Sequence, residues 1–189
     1  IPGLKVVMPS NPKNAKGLLI SSILDPDPVI FFEHRWLYGL SGEVPRKFYK
    51  LELGKSKILK KGKDITVVSM SNTTHEVLLM KKFFKENKIS PEIIDLITIS
   101  PLDINTIYKS VKKTGKLVIL DTCHKSFSTG REIISNLIEK NKNIFKVEPI
   151  VLGMPDTPTP TSVSLTKNYY PSMENIAKSI SNIMGVKKI

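Results

Sequence analysis

The stretch Ile65-Thr66-Val67-Val68-Ser69-Met70, followed by the turn Ser71-Asn72-Thr73-Thr74, decides the fold class of this chain. Its β-branched apolar run predicts a strand, and the polar turn predicts the start of a helix. Glu76 follows Thr73 by three residues, which is the spacing of a capping box. Apolar residues then continue at helical spacing, namely Val77, Leu78, Met80 and Phe84.

The same alternation of strand and helix continues to the end of the sequence. Strands are predicted at residues 91–97, 117–120 and 147–152, and helices at 103–115, 132–141 and 173–184. In the last helix, Ile176, Ile180 and Ile183 share the inward face. Alternation of this kind predicts an α/β fold in three layers, α/β/α, with a mostly parallel sheet covered on both faces.

The first 33 residues predict a separate β-α-β unit. A strand at Leu4–Met8 leads to a helix that begins near Asn11-Pro12 and stops at Asp25-Pro26-Asp27-Pro28. The run Val29–Phe32 has the continuous apolar pattern of a strand buried on both faces. Residues 33–63 predict an irregular connection that lies on a surface, with its aromatic residues as anchors: Trp36, Tyr38, Phe48 and Tyr49.

Composition limits the functions that the chain can have. The 189 residues carry a net charge of +12, yet 26 of the 29 basic residues are scattered lysines. Because nucleic-acid readout favours arginine, we expect no nucleic-acid partner, and the basic surface fits either compositional bias or an acidic partner subunit. Apolar runs fall short of the ~18 residues of a membrane span, so no membrane partner is expected.

The beginning of the sequence and its cysteine content bear on processing and location. The first residue is Ile1 and no signal-peptide pattern follows it, so we expect translation to begin upstream. The single cysteine, Cys123, fits a reducing compartment. We therefore expect a cytoplasmic location.

In an α/β sheet, ligands bind at the carboxyl ends of the strands, and no glycine-rich phosphate loop occurs there in this sequence. The most reactive-looking cluster is Asp121-Thr122-Cys123-His124. Adjacent Cys123 and His124 face opposite ways in an extended chain, so we favour a strand end in which the cysteine packs and the histidine faces a partner. The three histidines lack the spacing of a zinc site.

The turn Asp25-Pro26-Asp27 admits two interpretations. Its carboxylates lie beside helix-terminal carbonyl oxygens that have no partner within the helix, which is a ligand set suited to a hard cation. Asp and Pro are equally common in solvated turns that bind nothing.

Read together, several segments resemble the beta subunit of thiamine-diphosphate-dependent 2-oxo acid dehydrogenases of the pyruvate, branched-chain or acetoin type. They are residues 2–10, 14–19, 27–33, 62–68, 92–103, 155–160 and 170–172. The strongest is Glu92-Ile93-Ile94-Asp95-Leu96-Ile97, continued by Thr98-Ile99-Ser100-Pro101-Leu102-Asp103, against the family's E-V-I-D-L-R-T-L-x-P-L-D. Arginine is missing at Ile97, and the family's E-A-P-x-T-G-G turn is replaced by residues 122–130.

The resemblance implies a domain organisation. Residues 1–33 correspond to the end of a pyrimidine-binding domain, 34–60 to a connecting segment, and 61–189 to a transketolase-like C-terminal domain. That domain has a five-stranded sheet with one antiparallel strand. A shortened first domain leaves an exposed edge and apolar surface, so we expect association through residues 1–50.

The resemblance also implies a function. The family decarboxylates a 2-oxo acid on thiamine diphosphate and Mg²⁺ and passes the acyl group to a lipoyl group. Partners are an alpha subunit, a second beta chain and the lipoyl acyltransferase core, in a cytoplasm or organelle matrix. The family's activating glutamate, stacking aromatic residue and catalytic histidine precede Ile1, so we assign no catalytic or thiamine-binding residue here and expect this chain alone to support assembly.

Some family members bind K⁺ at positions that match Ser22, Ile23, Asp25 and Asp27, although asparagine is common at the position of Asp27. The alternatives are a non-catalytic assembly module and a different thiamine enzyme of the transketolase family.

Overall fold

The computed structural model describes residues 1–167 and 169–186. It begins with the predicted β-α-β unit: β1 (Lys5–Val7), α1 (Pro12–Ile23) and β2 (Val29–Phe31). The two strands are parallel, with Lys5 opposite Val29. Asn11 caps α1 because its side chain accepts a hydrogen bond from the N–H of Asn14 at 2.9 Å, and Pro12 follows as the first helical residue.

The prediction that β2 is buried on both faces is wrong. β2 lies at the edge of a three-stranded sheet of order β2-β1-β6, in which β6 is Thr98–Ser100. Val29 and Phe31 pack on the core, but Ile30 is 38% exposed and Phe32 is 52% exposed. An apolar run predicts burial on two faces only where both faces are covered, and here one face of β2 is open.

The connecting segment is more regular than predicted. It contains a 3₁₀ turn at Arg35–Leu37 and a strand, β3 (Lys57–Lys60), both inside the range 33–63 that we expected to be irregular. β3 is an antiparallel edge strand, and its flanking lysines suit an edge that must not pair with other chains. A four-residue strand with lysine at both ends carries little apolar pattern, so the sequence did not reveal it.

Part of this segment is fastened along α1. The ammonium group of Lys16 donates to the carbonyl oxygens of Pro45 (2.5 Å) and Arg46 (3.2 Å). Gly17 permits the close approach, because a Cβ there would collide with the side chains of Tyr49 and Leu51. The connection therefore runs over a fixed path on the surface of the first unit.

The main sheet has five strands in the order β3-β5-β4-β7-β8. The further strands are β4 (Ile65–Ser69), β5 (Pro91–Asp95), β7 (Leu117–His124) and β8 (Ile150–Met154). β4 is parallel to β5 and β7, β7 is parallel to β8, and β3 is antiparallel to β5. The predicted five-stranded, mostly parallel sheet with one antiparallel strand is confirmed.

Helices cover both faces of this sheet, which confirms the three-layer arrangement. One face carries α2 (Asn72–Leu79), α3 (Lys81–Glu86) and α7 (Met173–Met184), and the other carries α4 (Ile104–Thr114) and α5 (Thr129–Lys140). A short α6 (Val163–Thr166) precedes α7. Ile176 and Ile180 are fully buried and Ile183 packs against the same core, as predicted. In the part of the chain that is described, no helix is long and apolar enough to span a membrane.

The predicted capping box at Thr73 is wrong. Thr73 is the second residue of α2, and its hydroxyl donates to the carbonyl oxygens of Met70 (2.8 Å) and Leu120 (3.1 Å). Ser71 occupies the cap position, without a side-chain cap bond and with φ +51° and ψ −124°. The helix also breaks at Met80, so the predicted single helix is two short ones.

Candidate functional site

At the predicted cation site, a lysine ammonium group of the chain lies between the two aspartate carboxylates of the turn. Nζ of Lys5 lies 2.6 Å from Oδ1 of Asp25 and 3.0 Å from Oδ2 of Asp27. The hydrogen bonds to the two carboxylates raise the pKa of Lys5, and the bond from Lys5 lowers the pKa of Asp25. Ser22 and Ile23 end α1; the Leu24 N–H donates to the Ile20 carbonyl at 3.2 Å and the Asp25 N–H donates to the Ser22 carbonyl at 3.4 Å.

Oxygen ligands of this kind suit K⁺, but the Lys5 ammonium group already lies between the two carboxylates and offsets one of their two negative charges. A metal ion would have to displace Nζ from between them. Within residues 1–167 and 169–186, no cluster of three or more His, Cys, Asp or Glu side chains could hold a metal ion. The K⁺ site at Ser22, Ile23, Asp25 and Asp27 stays a prediction.

The strand end at Asp121 is organised by backbone hydrogen bonds. Asp121 is almost fully buried, and its carboxylate accepts the N–H groups of Cys123 (3.0 Å) and Gly130 (2.8 Å). Burial raises the pKa of Asp121, and these bonds oppose the rise. Asp121 therefore holds the start of α5 against the end of β7, while the side chain of Ser128 caps α5.

Cys123 and His124 do not form a catalytic pair. They are consecutive residues of β7, which runs four residues further than the predicted strand and replaces the expected turn. Cys123 is exposed, so the prediction that it packs is wrong. Partial burial and the Asp121 carboxylate raise the pKa of its thiol, which disfavours a thiolate nucleophile. Nε2 of His124 lies 3.0 Å from Oη of Tyr169.

Aromatic rings join the connecting segment to the closing segment of the chain. Edge-to-face contacts link His34 to Trp36 (5.2 Å between centroids), Trp36 to Tyr170 (5.1 Å) and Tyr170 to Tyr169 (5.0 Å). Such pairs each stabilise a structure by about 0.5–1.5 kcal/mol beyond burial. Trp36 is thus an anchor, as predicted.

The other aromatic residues of the connecting segment divide into two groups. Tyr49 is also an anchor, since its hydroxyl donates to the Lys13 carbonyl at 2.6 Å. Tyr38 and Phe48 are mostly exposed, so the prediction that they are anchors is wrong.

Asp95 is a buried carboxylate that sequence reasoning did not single out. Ser10 and Asn14 of the first unit donate to its Oδ2, and Thr74 of α2 donates to Oδ1 at 3.3 Å. Burial raises the pKa of Asp95 to about 6. The usable signal was an acidic residue directly after the fully apolar pair Ile93-Ile94 at the end of a strand.

The described carboxyl ends of the strands do not fit a diphosphate. Asp121 places a carboxylate where a phosphate needs donors, and Asp156 already accepts the N–H and the hydroxyl of Ser126. Arg131 donates its Nε–H to the carbonyl of Lys125. Phosphate sites use backbone N–H groups, arginine forks or lysine ammonium groups, which these residues do not supply here.

The β-α-β unit and the three-layer unit together define a transketolase-type chain, and this chain belongs to the transketolase C-terminal domain family. That family's model matches residues 54–176. The model of the transketolase pyrimidine-binding domain matches residues 1–41.

Relatives with recorded activities resemble the chain along nearly its whole length. It is 40% identical over 184 residues to the "Acetoin:2,6-dichlorophenolindophenol oxidoreductase subunit beta" of Cupriavidus necator, covering 97% of this chain and 54% of that protein. It is 39% identical over 188 residues to the "Pyruvate dehydrogenase E1 component subunit beta" of Porphyra purpurea, covering 100% and 57%. The chain thus spans a little over half the length of these relatives.

A solved structure described as "Split gene transketolase, inactive beta4 tetramer" matches the fold. Its TM-score is 0.78 at 18% identity, and the match covers 100% of this chain and 59% of that one. At this identity the likeness shows the fold alone.

Proposed function

We propose that this chain is the C-terminal part of the beta subunit of a thiamine-diphosphate-dependent 2-oxo acid dehydrogenase. The whole enzyme would oxidatively decarboxylate pyruvate or a related 2-oxo acid and transfer the acyl group to a lipoyl group. One observation carries this proposal, namely about 40% identity over 97% of the chain to dehydrogenase and oxidoreductase beta subunits. Thiamine diphosphate, with Mg²⁺, supplies the carbanion chemistry in such enzymes, and the protein positions it.

The part that this chain plays is assembly rather than chemistry. Its partners would be an alpha subunit, a second copy of the beta chain and a lipoyl acyltransferase core, in a cytoplasm or an organelle matrix. The first unit exposes large apolar side chains: Leu19, Ile23, Leu24 and Phe32. Apolar groups concentrated in this way favour a subunit interface, because an interface core is apolar and poor in charge.

The K⁺ site belongs to the same proposal. K⁺ would bind at the carbonyl oxygens of Ser22 and Ile23 and the carboxylates of Asp25 and Asp27, in exchange for the Lys5 ammonium group. Its role would be to hold the end of α1 next to β2, the region where subunits would meet.

A chimeric subunit tests the function. The matching C-terminal part of the Cupriavidus necator beta subunit is replaced by this chain, and the chimera is produced with its alpha subunit. Dye reduction is then measured with acetoin and with pyruvate as donors. We expect an assembled enzyme that reduces dichlorophenolindophenol. A chimera that assembles with the alpha subunit but reduces no dye with either donor would contradict the proposal.

A pair of matched variants tests the interface within that chimera. Ile23 is 72% exposed on α1 and Val163 is 85% exposed on α6. Ile23→Asp should weaken association with the other subunits in sedimentation at micromolar concentration, because it puts a charge into an apolar contact. Val163→Asp, a similar change away from the first unit, should leave sedimentation unchanged. If both variants sedimented alike, the interface would not include the exposed face of α1 at Ile23.

Calorimetric titration of this chain with thiamine diphosphate and Mg²⁺ tests whether the chain binds the cofactor by itself. We expect no binding heat, because the strand ends do not fit a diphosphate. Stoichiometric binding would show that the residues of this chain suffice for a cofactor site.

A further inference from the structure

A cavity of about 230 Å³ opens between the carboxyl ends of the main-sheet strands and the aromatic rings that cross over them. Asn72, Asp121, Thr122 and Met154 line the side formed by the strand ends and α2. This is the position where parallel α/β sheets bind ligands. Its volume lies below the roughly 300–1,000 Å³ of sites for drug-sized molecules, so a ligand here would have the size of a single ring with one substituent.

The opposite wall of the cavity is aromatic. His34, Trp36 and Tyr170 line it, and Trp36 and Tyr170 are held edge to face at 5.1 Å. Nδ1 of His34 accepts the N–H of Trp36 at 3.3 Å, so this part of the wall is fixed by its own backbone. Faces of Trp and Tyr rings attract flat apolar groups and cations alike.

The charge of the cavity is opposite to that of the protein. The chain carries +12 overall, but no Lys or Arg is among the described residues that line the cavity. Asp121 is the acidic residue of the lining, with its two carboxylate oxygens held by the N–H groups of Cys123 and Gly130, and burial lowers the pKa of His34, which favours the neutral imidazole. Lys125 lines a separate depression beyond Tyr170 and Pro171. Electrostatics and the aromatic wall therefore favour a cation and disfavour an anion.

Asn72 adds an unsatisfied hydrogen-bonding group. The residue is 8% exposed, and its Oδ1 has no hydrogen-bond partner among the described residues. A buried amide oxygen without a donor destabilises the fold, and rotation of the amide about its Cβ–Cγ bond would present that oxygen to a ligand. A ligand N–H would then supply the missing partner.

We propose that this cavity binds a small aromatic cation, a protonated amine or amidine attached to a single flat ring. The ring would pack on Trp36 and Tyr170, and the cationic N–H groups would point toward Asp121 and Asn72. This site is independent of the proposed function, since its evidence is the cavity itself.

Three probes of nearly equal shape test the charge preference: benzamidine (a cation), benzamide (neutral) and benzoate (an anion). Trp36 is the one tryptophan of the chain, so its indole N–H gives a single NMR resonance at the cavity wall. We expect benzamidine to shift this resonance with a Kd on the order of millimolar, as befits a ligand of so few atoms. Benzamide should bind roughly tenfold more weakly, and benzoate should cause no shift.

Variants of Asn72 test the geometry. Asn72→Ala should weaken benzamidine binding about tenfold, since a hydrogen bond to a charged group is lost. Asn72→Asp keeps the size and adds a negative charge, so it should strengthen benzamidine binding several-fold while leaving benzamide unchanged. Circular dichroism checks that both variants fold.

A matched pair of tyrosine variants tests the aromatic wall. Tyr170→Leu removes a lining ring and should weaken benzamidine binding, whereas Tyr38→Leu removes an exposed ring elsewhere and should not. Binding of benzoate as tight as that of benzamidine, or no effect of either Asn72 variant, would overturn the proposal. So would an indole resonance that benzamidine does not move.

Discussion

Asp95 gives the sharpest prediction about pH and stability. The carboxyl group is fully buried, and burial raises its pKa from 3.8 to about 6. At about 1.4 kcal/mol for each tenfold change in a protonation equilibrium, this rise corresponds to about 3 kcal/mol. The pKa in the folded protein is the higher one, so the folded state binds the proton more tightly than the unfolded chain does. This stabilisation is complete below about pH 4 and is lost as the pH rises through 6.

The assay compares the wild-type chain with Asp95→Asn by urea unfolding between pH 4 and pH 8. The amide approximates the uncharged carboxyl and can still accept from Thr74 and donate to Ser10. Subtracting the two curves cancels the other titrating groups. We expect the wild-type free energy of unfolding to fall by about 2.5 kcal/mol relative to the variant between pH 4 and pH 7.5, because the unfolded chain is already partly ionised at pH 4.

Asp156 provides a control of opposite sign. Its carboxylate is exposed and accepts two hydrogen bonds from Ser126, which lower its pKa. Wild type should therefore gain stability over Asp156→Asn as the pH rises toward the pKa of a free aspartate, and above that pKa the difference between the two should stay constant. A difference between wild type and Asp95→Asn that does not vary with pH, or that grows with pH, would refute the reasoning about burial.

Three further substitutions follow from backbone geometry and charge. Ser71→Gly should raise the free energy of unfolding by about 1 kcal/mol, because glycine accepts φ +51° without strain. Ser71→Ala keeps the strained backbone and should not raise it. Urea unfolding midpoints distinguish the two variants. Gly62→Ala should lower the free energy of unfolding by about 2 kcal/mol or more, because the new Cβ would overlap the backbone of Pro91. Gly39→Ala is the control: the space around Gly39 is open, so its free energy of unfolding should change by less than about 0.5 kcal/mol in the same assay. Lys5→Met removes the ammonium group between the two turn carboxylates, so KCl should raise the Tm of this variant more than LiCl does; equal Tm values in the two salts would count against a K⁺ site.

The elements that the sequence predicted correctly are those with strong local patterns. The stripe of Ile176, Ile180 and Ile183 predicted α7 with its observed ends, because burial on one face imposes a period near 3.6. Asp103 and Gly115 marked both ends of α4, since each satisfies backbone groups that the helix leaves unpaired. Ser71 shows the limit of such signals, because its backbone conformation is set by how β4 meets α2 and not by its residue type.

The features that the sequence did not predict depend on partners far along the chain. β6 has three residues and becomes a strand only by pairing with β1, more than 90 positions earlier. Lys5 reaches its carboxylates across 20 and 22 positions, so the spacing of Asp25 and Asp27 alone could not distinguish a metal site from a solvated turn. The hydrogen bonds of Asp95 could not be predicted from its own segment, because its donors Ser10 and Asn14 lie in the other unit.

The antiparallel pairing of β1 with β6 has a consequence for how the protein is made. Once β2 has left the ribosome, the first sheet still lacks the strand at residues 98–100 that covers the other edge of β1. At roughly 5–20 residues per second, that strand follows after about 3–13 seconds of synthesis. During this interval the backbone groups of β1 and the apolar side chains of β2 are open to other nascent chains. Chaperones that hold exposed strand edges would thus act on this chain before its larger sheet exists.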